Sequence, residues 1–355
     1  MRQAAVNDRA QPSATNLDDA LHAERVGSFL AATFGGGQRF TCERIGGGQS
    51  NPTYAVDFGE RKLILREKPR GETLPGAHAI DREFRVLKAL ETTDVPVPKV
   101  VLYHDDPEAL GTPFYLMDRL DGRVFHDCAL PSLSPEERRG MFLSMAEAMA
   151  KLHAVDPASI GLADFGRPGN YFERQVARWS RQYRESPSGP LPDLDRLSEW
   201  LTANLPEDDG RVAIAHGDFR LGNMIFHPSW PEVVGILDWE LATLGHPLAD
   251  LGYCCLPWNT APDEYGGILG LDREALGIPT QAEFVAHYFA HAIPTTPLKP
   301  FHVVFALFRF SAIWVGIADR AKAGSAAAVN TGNALPLART FAQRALEIVN
   351  REQAD

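Results

Sequence analysis

Hydrophobic and polar positions in the first part of the chain follow the spacing of short strands, with helical spacing in two stretches. Apolar side chains recur at helical intervals over residues 18–34 and again over residues 77–92. Between them, strand-like runs in residues 40–69 flank glycine-rich turns, which predicts a three-stranded antiparallel meander. Residues 95–104 and 113–122 predict two further strands. The pattern therefore indicates a β-rich region with one helix inserted after its third strand.

The pattern becomes mainly helical from about residue 121 onward. Residues 134–155 predict a long amphipathic helix that begins at a Ser-Pro-Glu-Glu start signal, and residues 170–186 predict another. Residues 301–320 form the most apolar run of the chain. Because Arg309 interrupts this run, we expect a buried helix here rather than a membrane span.

These changes in pattern predict an α+β fold with a polar tail at residues 1–17, a small antiparallel β-rich lobe at 18–120 and a larger, mainly helical lobe at 121–355. With 355 residues, 45% of them hydrophobic, the chain is long enough to bury a sizeable core. A formal net charge of -11 argues against nucleic acid or an anionic membrane as a partner. The four cysteines lack zinc-ligand spacing and the N-terminus lacks an apolar signal segment, so we expect a cytoplasmic protein. The oligomeric state stays open.

Residues 216–240, HGDFRLGNMIFHPSWPEVVGILDWE, place carboxylates among residues typical of turns and buried strands. The runs NMIF and EVVGIL predict a hairpin, because the turn-rich HPSWP joins them. Asn223 then lies at one open end of the hairpin and Asp238 at the other, near Asp218 in the preceding loop. Oxygen ligands grouped in this way suit magnesium and do not suit zinc. The alternative is that these residues merely cap turns.

The motifs HGDFRLGN and ILDWE resemble the catalytic and metal loops of the aminoglycoside phosphotransferase and choline kinase group, which are relatives of the protein kinases. The resemblance covers nearly the whole chain after the tail. It implies a protein-kinase-like two-lobed fold that uses ATP and magnesium. By position it implies that Asp218 is the catalytic base, which accepts or orients the proton of a substrate hydroxyl. Asn223 and Asp238 would hold magnesium against the ATP phosphates.

Two segments of the small lobe resemble nucleotide-binding parts of the same group. Residues 45–56, IGGGQSNPTYAV, fit a loop that covers phosphates, although a plain hairpin turn has the same composition. Residues 114–122, FYLMDRLDG, resemble the hinge that holds adenine, with an ordinary strand and turn as the alternative. The ATP contacts expected in these segments are Gly47, Gly48, Ser50, Asn51, Met117, Asp118 and Leu120.

A cation for the phosphates is expected on the third strand. Alternation over KLILREKP places Ile64, Arg66 and Lys68 on one face of this strand. By resemblance, Arg66 replaces the strand lysine of protein kinases in catalysis and ATP binding, and Lys68 is the alternative if the register shifts by two. The expected partner is Glu83 on the following helix, ahead of Asp81. A surface ion pair of little energetic value is the competing interpretation.

A stripe of arginines in residues 170–186 gives an indication of the chemistry of the phosphate acceptor. Four of them recur at helical spacing on one face, opposite apolar side chains, at positions 174, 178, 181 and 184. Arg174, Arg178 and Arg181 are therefore candidate contacts for a phosphate-bearing substrate. A solvated helix face explains the same pattern.

Further stretches, including GTPFYLMDRLDGR and RQVARWSRQY, resemble the kinase domain attached to acyl-CoA dehydrogenases of types 10 and 11 and its free-standing bacterial relatives. This resemblance implies a small-molecule acceptor with a hydroxyl group, best matched by a CoA thioester such as 4-hydroxyacyl-CoA. An aminoglycoside or other antibiotic O-phosphotransferase is the alternative enzyme. A nucleotide-binding pseudokinase that acts as an interaction module, and a metal-dependent hydrolase, are rivals from other classes.

Overall fold

The computed structural model describes residues 14–46, 51–70, 79–167, 169–293, 296–323 and 333–354, and these form two compact units. Within these ranges, the first unit comprises Met1–Phe84 and Val100–Arg119. The second comprises Arg85–Lys99 and Leu120–Asp355. A sheet dominates the first unit and helices dominate the second, so the predicted α+β organisation is confirmed.

The first unit is built on a five-stranded antiparallel sheet with the strand order β1-β2-β3-β5-β4. Because side chains alternate along β3, Leu63 and Leu65 point into a core that also contains Val26 and Leu30 of the first helix. Arg66 lies on the other face of the strand. The elements in chain order are α1 (Ala14–Phe34), β1 (Phe40–Arg44), β2 (Thr53–Phe58), β3 (Arg61–Glu67), α2 (Ile80–Leu90), β4 (Val100–His104), α3 (Pro107–Leu110) and β5 (Phe114–Asp118).

The structure differs from the predicted lobe boundaries in two places. Helix α1 begins at Ala14 rather than at residue 18. Residues 85–99 group with the second unit, because Arg85 forms an ion pair with Asp164 and the backbone N–H of Ile236 donates to the carbonyl of Pro96 over 2.8 Å. Sequence periodicity could not predict this, since it reports the type of an element and not its tertiary neighbours.

The second unit contains helices and two small antiparallel sheets, β6 with β9 and β7 with β8. The predicted start of the long helix α4 is confirmed, because the hydroxyl of Ser134 accepts the backbone N–H of Glu137. The elements are α4 (Pro135–Ala154), α5 (Tyr171–Arg184), α6 (Pro192–Ala203), β6 (Ala213–Ala215), β7 (Met224–Phe226), β8 (Val233–Ile236), β9 (Thr243–Gly245), α7 (Pro247–Cys254), α8 (Arg273–Leu276), α9 (Gln281–His291), α10 (Pro300–Lys322) and α11 (Ala334–Glu352).

Helix α10 forms the centre of the second unit. It is long and apolar enough to cross a membrane, but 78% of its most apolar window is buried within the protein. It packs against α11, α7, α6 and α5. Burial on these sides assigns α10 as a core helix, as the sequence predicted.

Candidate active site

The predicted hairpin forms in the second unit. Met224 of β7 pairs with Ile236 of β8, and the backbone N–H of Leu237 donates to the carbonyl of Asn223 over 2.8 Å. Asn223 and Leu237, the residue before Asp238, therefore face each other at the open end of the hairpin. This is the arrangement that the sequence predicted.

The loop that precedes the hairpin is anchored by Asp250, a buried carboxylate in the first turn of α7. This carboxylate accepts the backbone N–H groups of His216 at 2.6 Å and Gly217 at 2.9 Å, and Nε2 of His153 lies 3.3 Å away. Burial raises the pKa of Asp250, but the surrounding hydrogen bonds and charges, first among them those of His153, together outweigh burial, and the pKa lies below its ordinary value. Asp250 therefore acts as an ionised anchor for the loop.

His216 connects the loop to the end of the hairpin. Its Nδ1 accepts the backbone N–H of Asp218 at 3.2 Å, so Nε2 carries the proton and donates to the carbonyl of Leu237 at 2.9 Å. The fully buried ring also lies 4.7 Å from the ring of Trp239. His216 thus has a structural role, and it fixes the Asp218 loop against the segment that carries Asp238.

A glycine is required at position 217. Its φ is +82°, and a Cβ there would lie 2.8 Å from the carbonyl oxygen of Leu241. The Gly217 carbonyl accepts a hydrogen bond from Nη2 of Arg309 over 2.7 Å. The guanidinium of Arg309, buried in α10, lies over the rings of Trp179 and Tyr253 at 5.6 and 5.7 Å. The arginine that interrupts the apolar run therefore supports the loop.

Asp218, the predicted base, accepts hydrogen bonds at both carboxylate oxygens. The hydroxyl of Tyr253 donates to Oδ1 at 2.6 Å. Oδ2 accepts Nδ2 of Asn223 at 2.8 Å and Nε of Arg220 at 3.2 Å. The side chain of Asp218 remains 22% exposed. A carboxylate that is fixed in orientation and still accessible can accept a proton from a hydroxyl placed beside it.

Asn223 and Asp238 supply oxygen donors that fit magnesium. Nδ2 of Asn223 donates to the backbone carbonyl and carboxylate of Asp218, which turns Oδ1 of Asn223 away from Asp218. Asp238 adopts a left-handed conformation with φ 65° and ψ 64°, which is uncommon for a residue other than glycine and recurs at functional sites. Amide and carboxylate oxygens are the ligands that magnesium prefers.

A pocket in the second unit opens beside Asp218. It has a cavity volume of about 70 Å³, and its lining includes Arg220 and Tyr253, both hydrogen-bonded to Asp218. The Glu264 carboxylate in the wall is bound by Nε and Nη2 of Arg344 at 2.9 and 2.7 Å. Most of the other lining residues are apolar or aromatic, namely Phe142, Met145, Leu221, Leu256, Pro257, Tyr265, Phe310 and Phe341. The pocket therefore suits a hydrocarbon chain more than a polycation.

In the first unit, the predicted pair of Arg66 and Glu83 forms. Nε of Arg66 lies 2.7 Å from Oε2 of Glu83, with the two side chains 14% and 1% exposed. Nδ2 of Asn51 donates to the same carboxylate at 2.6 Å, and so does the hydroxyl of Tyr115 at 3.1 Å. The pair is thus part of a buried network. Lys68 lies beyond the end of β3, so Arg66 is the strand cation that meets Glu83.

The remaining nucleotide contacts stay predictions. Gly47, Gly48 and Ser50 lie outside the described residues. Asn51, expected to contact phosphate, is 2% exposed and directed at Glu83. Met117 and Asp118 end β5, whereas Leu120 is grouped with the second unit.

A protein-family model matches the part of the chain that contains the Asp218 loop and the hairpin. The model of the phosphotransferase enzyme family, APH, matches residues 41–293. The chain belongs to this family. Residues 41–293 include both Arg66 and Glu83 as well as Asp218, Asn223 and Asp238.

Comparison with individual proteins shows that the chain is also similar to parts of longer curated relatives. It is 40% identical over 309 residues to acyl-CoA dehydrogenase family member 10 of Mus musculus, which covers 86% of this chain and 29% of the mouse protein. It is 40% identical over 308 residues to the Arabidopsis thaliana protein named as a probable acyl-CoA dehydrogenase IBR3, covering 82% of this chain and 37% of that protein. The chain thus spans less than half of these curated relatives.

A solved structure confirms the fold. The crystal structure of a candidate aminoglycoside phosphotransferase from Ralstonia eutropha JMP134 is 39% identical, covers 92% of this chain and 98% of its own, and superposes with a TM-score of 0.83. The predicted protein-kinase-like fold of a small β-rich part and a larger helical part is therefore shown.

The predicted stripe of arginines lies on helix α5. Phe172, Val176 and Trp179 are buried on the opposite face. Arg174 donates to the backbone carbonyls of Arg167 and Gly169 at the start of the helix. Arg178 and Arg181 are exposed. Among the described residues, the lining of the pocket beside Asp218 does not include these arginines, so their role in substrate binding stays a prediction.

Sequence reasoning missed two residues of the site, Tyr253 and Arg309. Tyr253 is separated from Asp218 by 35 residues and Arg309 from Gly217 by 92. Arg309 carried a signal, since a charge inside an apolar run must find a buried partner. Tyr253 carried none, because a tyrosine in an apolar helix is an ordinary core residue.

Proposed function

We propose that the chain transfers the γ-phosphoryl group of ATP to a hydroxyl group of a small molecule, with magnesium as the metal. We further propose that the acceptor is a hydroxyacyl-CoA such as 4-hydroxyacyl-CoA. The observation that carries the proposal is that Asp218 is held by three hydrogen bonds, two of which come from Arg220 and Tyr253 in the wall of a largely apolar pocket.

Asp218 accepts the proton of the acceptor hydroxyl as that oxygen forms a bond to the γ-phosphorus. The bond between the γ-phosphorus and the bridging oxygen breaks, and ADP leaves. Arg66, held by Glu83, contacts the phosphates with its cation. Asn223 and Asp238 would hold magnesium, which would supply positive charge to offset that of the phosphates. Phosphoryl transfer needs little beyond positioning and charge stabilisation, and these residue types supply both.

The pocket supports an acyl chain over an aminoglycoside. An aminoglycoside carries several ammonium groups, which need unpaired carboxylates to replace their hydration. In the wall of this pocket the Glu264 carboxylate is bound by Arg344, and the neighbouring Asp218 carboxylate is bound by Arg220. Apolar walls offer a hydrocarbon chain about 25 cal/mol for each Å² removed from water. The acyl-CoA dehydrogenase names of the curated relatives also favour an acyl thioester.

A panel of acceptors tests the proposal. ADP formation is measured with magnesium and ATP alone, then with 4-hydroxyacyl-CoAs, the matching acyl-CoAs without a hydroxyl, an aminoglycoside and an amino alcohol. We expect ADP to form with the 4-hydroxyacyl-CoA and not with the deoxy analogue. Mass spectrometry of the thioester should show the mass of one added phosphate.

Other outcomes separate the rivals. Turnover with the aminoglycoside alone would support the antibiotic phosphotransferase and contradict the thioester. A nucleotide-induced rise in melting temperature without turnover on any alcohol would support the interaction module. Cleavage of a substrate without ATP would support a metal-dependent hydrolase.

A further inference from the structure

The hydrogen bonds to Asp218 are unequally divided between its two oxygens. Oδ2 accepts two donors, Asn223 at 2.8 Å and Arg220 at 3.2 Å, whereas Oδ1 accepts one, the hydroxyl of Tyr253 at 2.6 Å. A carboxylate oxygen has two lone-pair directions. Among the described residues, Oδ2 therefore has both lone pairs occupied, and Oδ1 retains one lone pair whose direction is set by the bond from Tyr253.

Tyr253 also lines the pocket in which the acceptor is proposed to lie. It is 7% exposed, its ring packs edge-on to Phe310 at 6.0 Å, and the guanidinium of Arg309 lies 5.7 Å from it. These contacts leave the phenol little freedom to rotate away from Asp218. One side chain thus touches both the base and the pocket.

We infer that Tyr253 is the positioning residue for the base, and that it holds Oδ1 of Asp218 as the atom that takes the proton from the acceptor hydroxyl. This inference rests on the proposed phosphotransfer and adds to it the identity of the accepting oxygen. During transfer the hydroxyl proton passes to Oδ1 as the acceptor oxygen bonds to phosphorus, and the Tyr253 proton stays on the phenol.

The phenol is a donor and not a second base. Burial and then the neighbouring charge of Asp218 raise the pKa of Tyr253 well above its ordinary value. The hydroxyl therefore stays protonated at neutral pH and donates throughout the reaction. Its effect on the rate must act through Asp218.

The variant Tyr253→Phe removes the hydroxyl and keeps the ring that packs against Phe310 and Arg309. We expect kcat to fall by about tenfold or more, because a misdirected base loses most of its advantage. The KM for ATP and for the acceptor should stay within about twofold, since the apolar surface is unchanged. Replacement of Tyr253 by 4-aminophenylalanine, whose N–H can donate to Oδ1, should restore part of kcat.

A matched control removes a buried hydroxyl elsewhere. Tyr183 in α5 donates to the carbonyl of Leu191 at 2.9 Å and is 1% exposed. Because the same hydroxyl accepts the backbone N–H of Leu191, Tyr183→Phe removes two buried hydrogen bonds; it should cost at least as much stability and leave kcat within about twofold. A fall in kcat that appears in Tyr253→Phe and not in Tyr183→Phe cannot come from the loss of a buried hydrogen bond alone.

A double-mutant cycle decides whether Tyr253 acts through the base. In an Asp218→Asn background, Tyr253→Phe should change the residual rate by less than about twofold. An equal loss in both backgrounds would overturn the inference, as would an unchanged kcat for Tyr253→Phe in an active protein. If the wild-type chain transfers phosphate to no alcohol, the proposed function fails and the inference fails with it, which is a distinct result.

Discussion

The carboxylate of Asp250 accepts the backbone N–H of His216 at 2.6 Å, across 34 residues of sequence. A second oxygen accepts the N–H of Gly217. These bonds convert an irregular loop, which has no ladder of its own, into a fixed support for Asp218. Asp250 is thus a buried anionic anchor of the loop that carries Asp218.

Asp250→Asn tests this anchor. An asparagine has one acceptor oxygen, so one buried backbone N–H loses its partner and meets an N–H₂ group instead. We expect the free energy of unfolding to fall by about 1–3 kcal/mol and phosphotransfer to fall with it. Urea unfolding checks the first and ADP formation the second. The exposed Asp94→Asn should stay within about 0.5 kcal/mol of the wild type, and equal stability of the two variants would contradict the anchor.

How much the sequence could predict depends on the distance between partners. The hairpin was predictable because alternation and turn residues fix register locally, whereas the pair of Arg66 and Glu83 was predicted from the family resemblance. The bond from Tyr253 to Asp218 was not predictable, since it depends on how α7 packs against the loop. Asn51 is predicted to contact phosphate, and its Nδ2 donates to Glu83 in this structure, so the phosphate contact stays a prediction.

Glu83→Gln should weaken ATP binding. Glutamine keeps the shape of Glu83 and removes the charge that holds Arg66, a cation only 14% exposed. We expect the KM for ATP to rise by about tenfold, equivalent to about 1.4 kcal/mol, while the acceptor KM stays unchanged. Glu91→Gln is the matched control. It removes an ion pair with the exposed Lys88, which contributes little. An unaltered KM for ATP in Glu83→Gln would show that the pair of Arg66 and Glu83 does not contribute to nucleotide binding.

Asp238→Asn tests the proposed metal ligand. Asparagine tolerates the left-handed backbone found at this position, so the variant removes charge without adding strain. ATP raises the melting temperature of any chain that binds it in the folded state. We expect the part of this rise that depends on magnesium to shrink in the variant, and the part seen with EDTA to stay. A full magnesium-dependent rise would show that Asp238 is not a ligand.

Glu67 gives the stability of the chain a pH dependence. Burial raises the pKa of Glu67 from 4.5 to about 7, against the opposing charges of Arg70 and Arg44. Between these values the folded chain holds a proton that the unfolded chain has lost, so the free energy of unfolding falls as the pH rises from about 4.5 to 7. Glu67 lowers the free energy of unfolding by up to about 3 kcal/mol over this pH range. Glu67→Gln should flatten this slope and be more stable than the wild type at pH 8, as measured by urea unfolding across pH. If the pH dependence of the free energy of unfolding persists in Glu67→Gln, another titrating group causes it.

Asp218 carries the central claim that the chain is a phosphotransferase with a carboxylate base. The most direct measurement compares Asp218→Ala with the wild type, using 4-hydroxyacyl-CoA, ATP and magnesium, with nucleotide binding followed by thermal shift in parallel. We predict that the variant keeps its ATP-induced rise in melting temperature and loses kcat by about 10² to 10⁴-fold. Turnover at the wild-type rate in Asp218→Ala would contradict the claim.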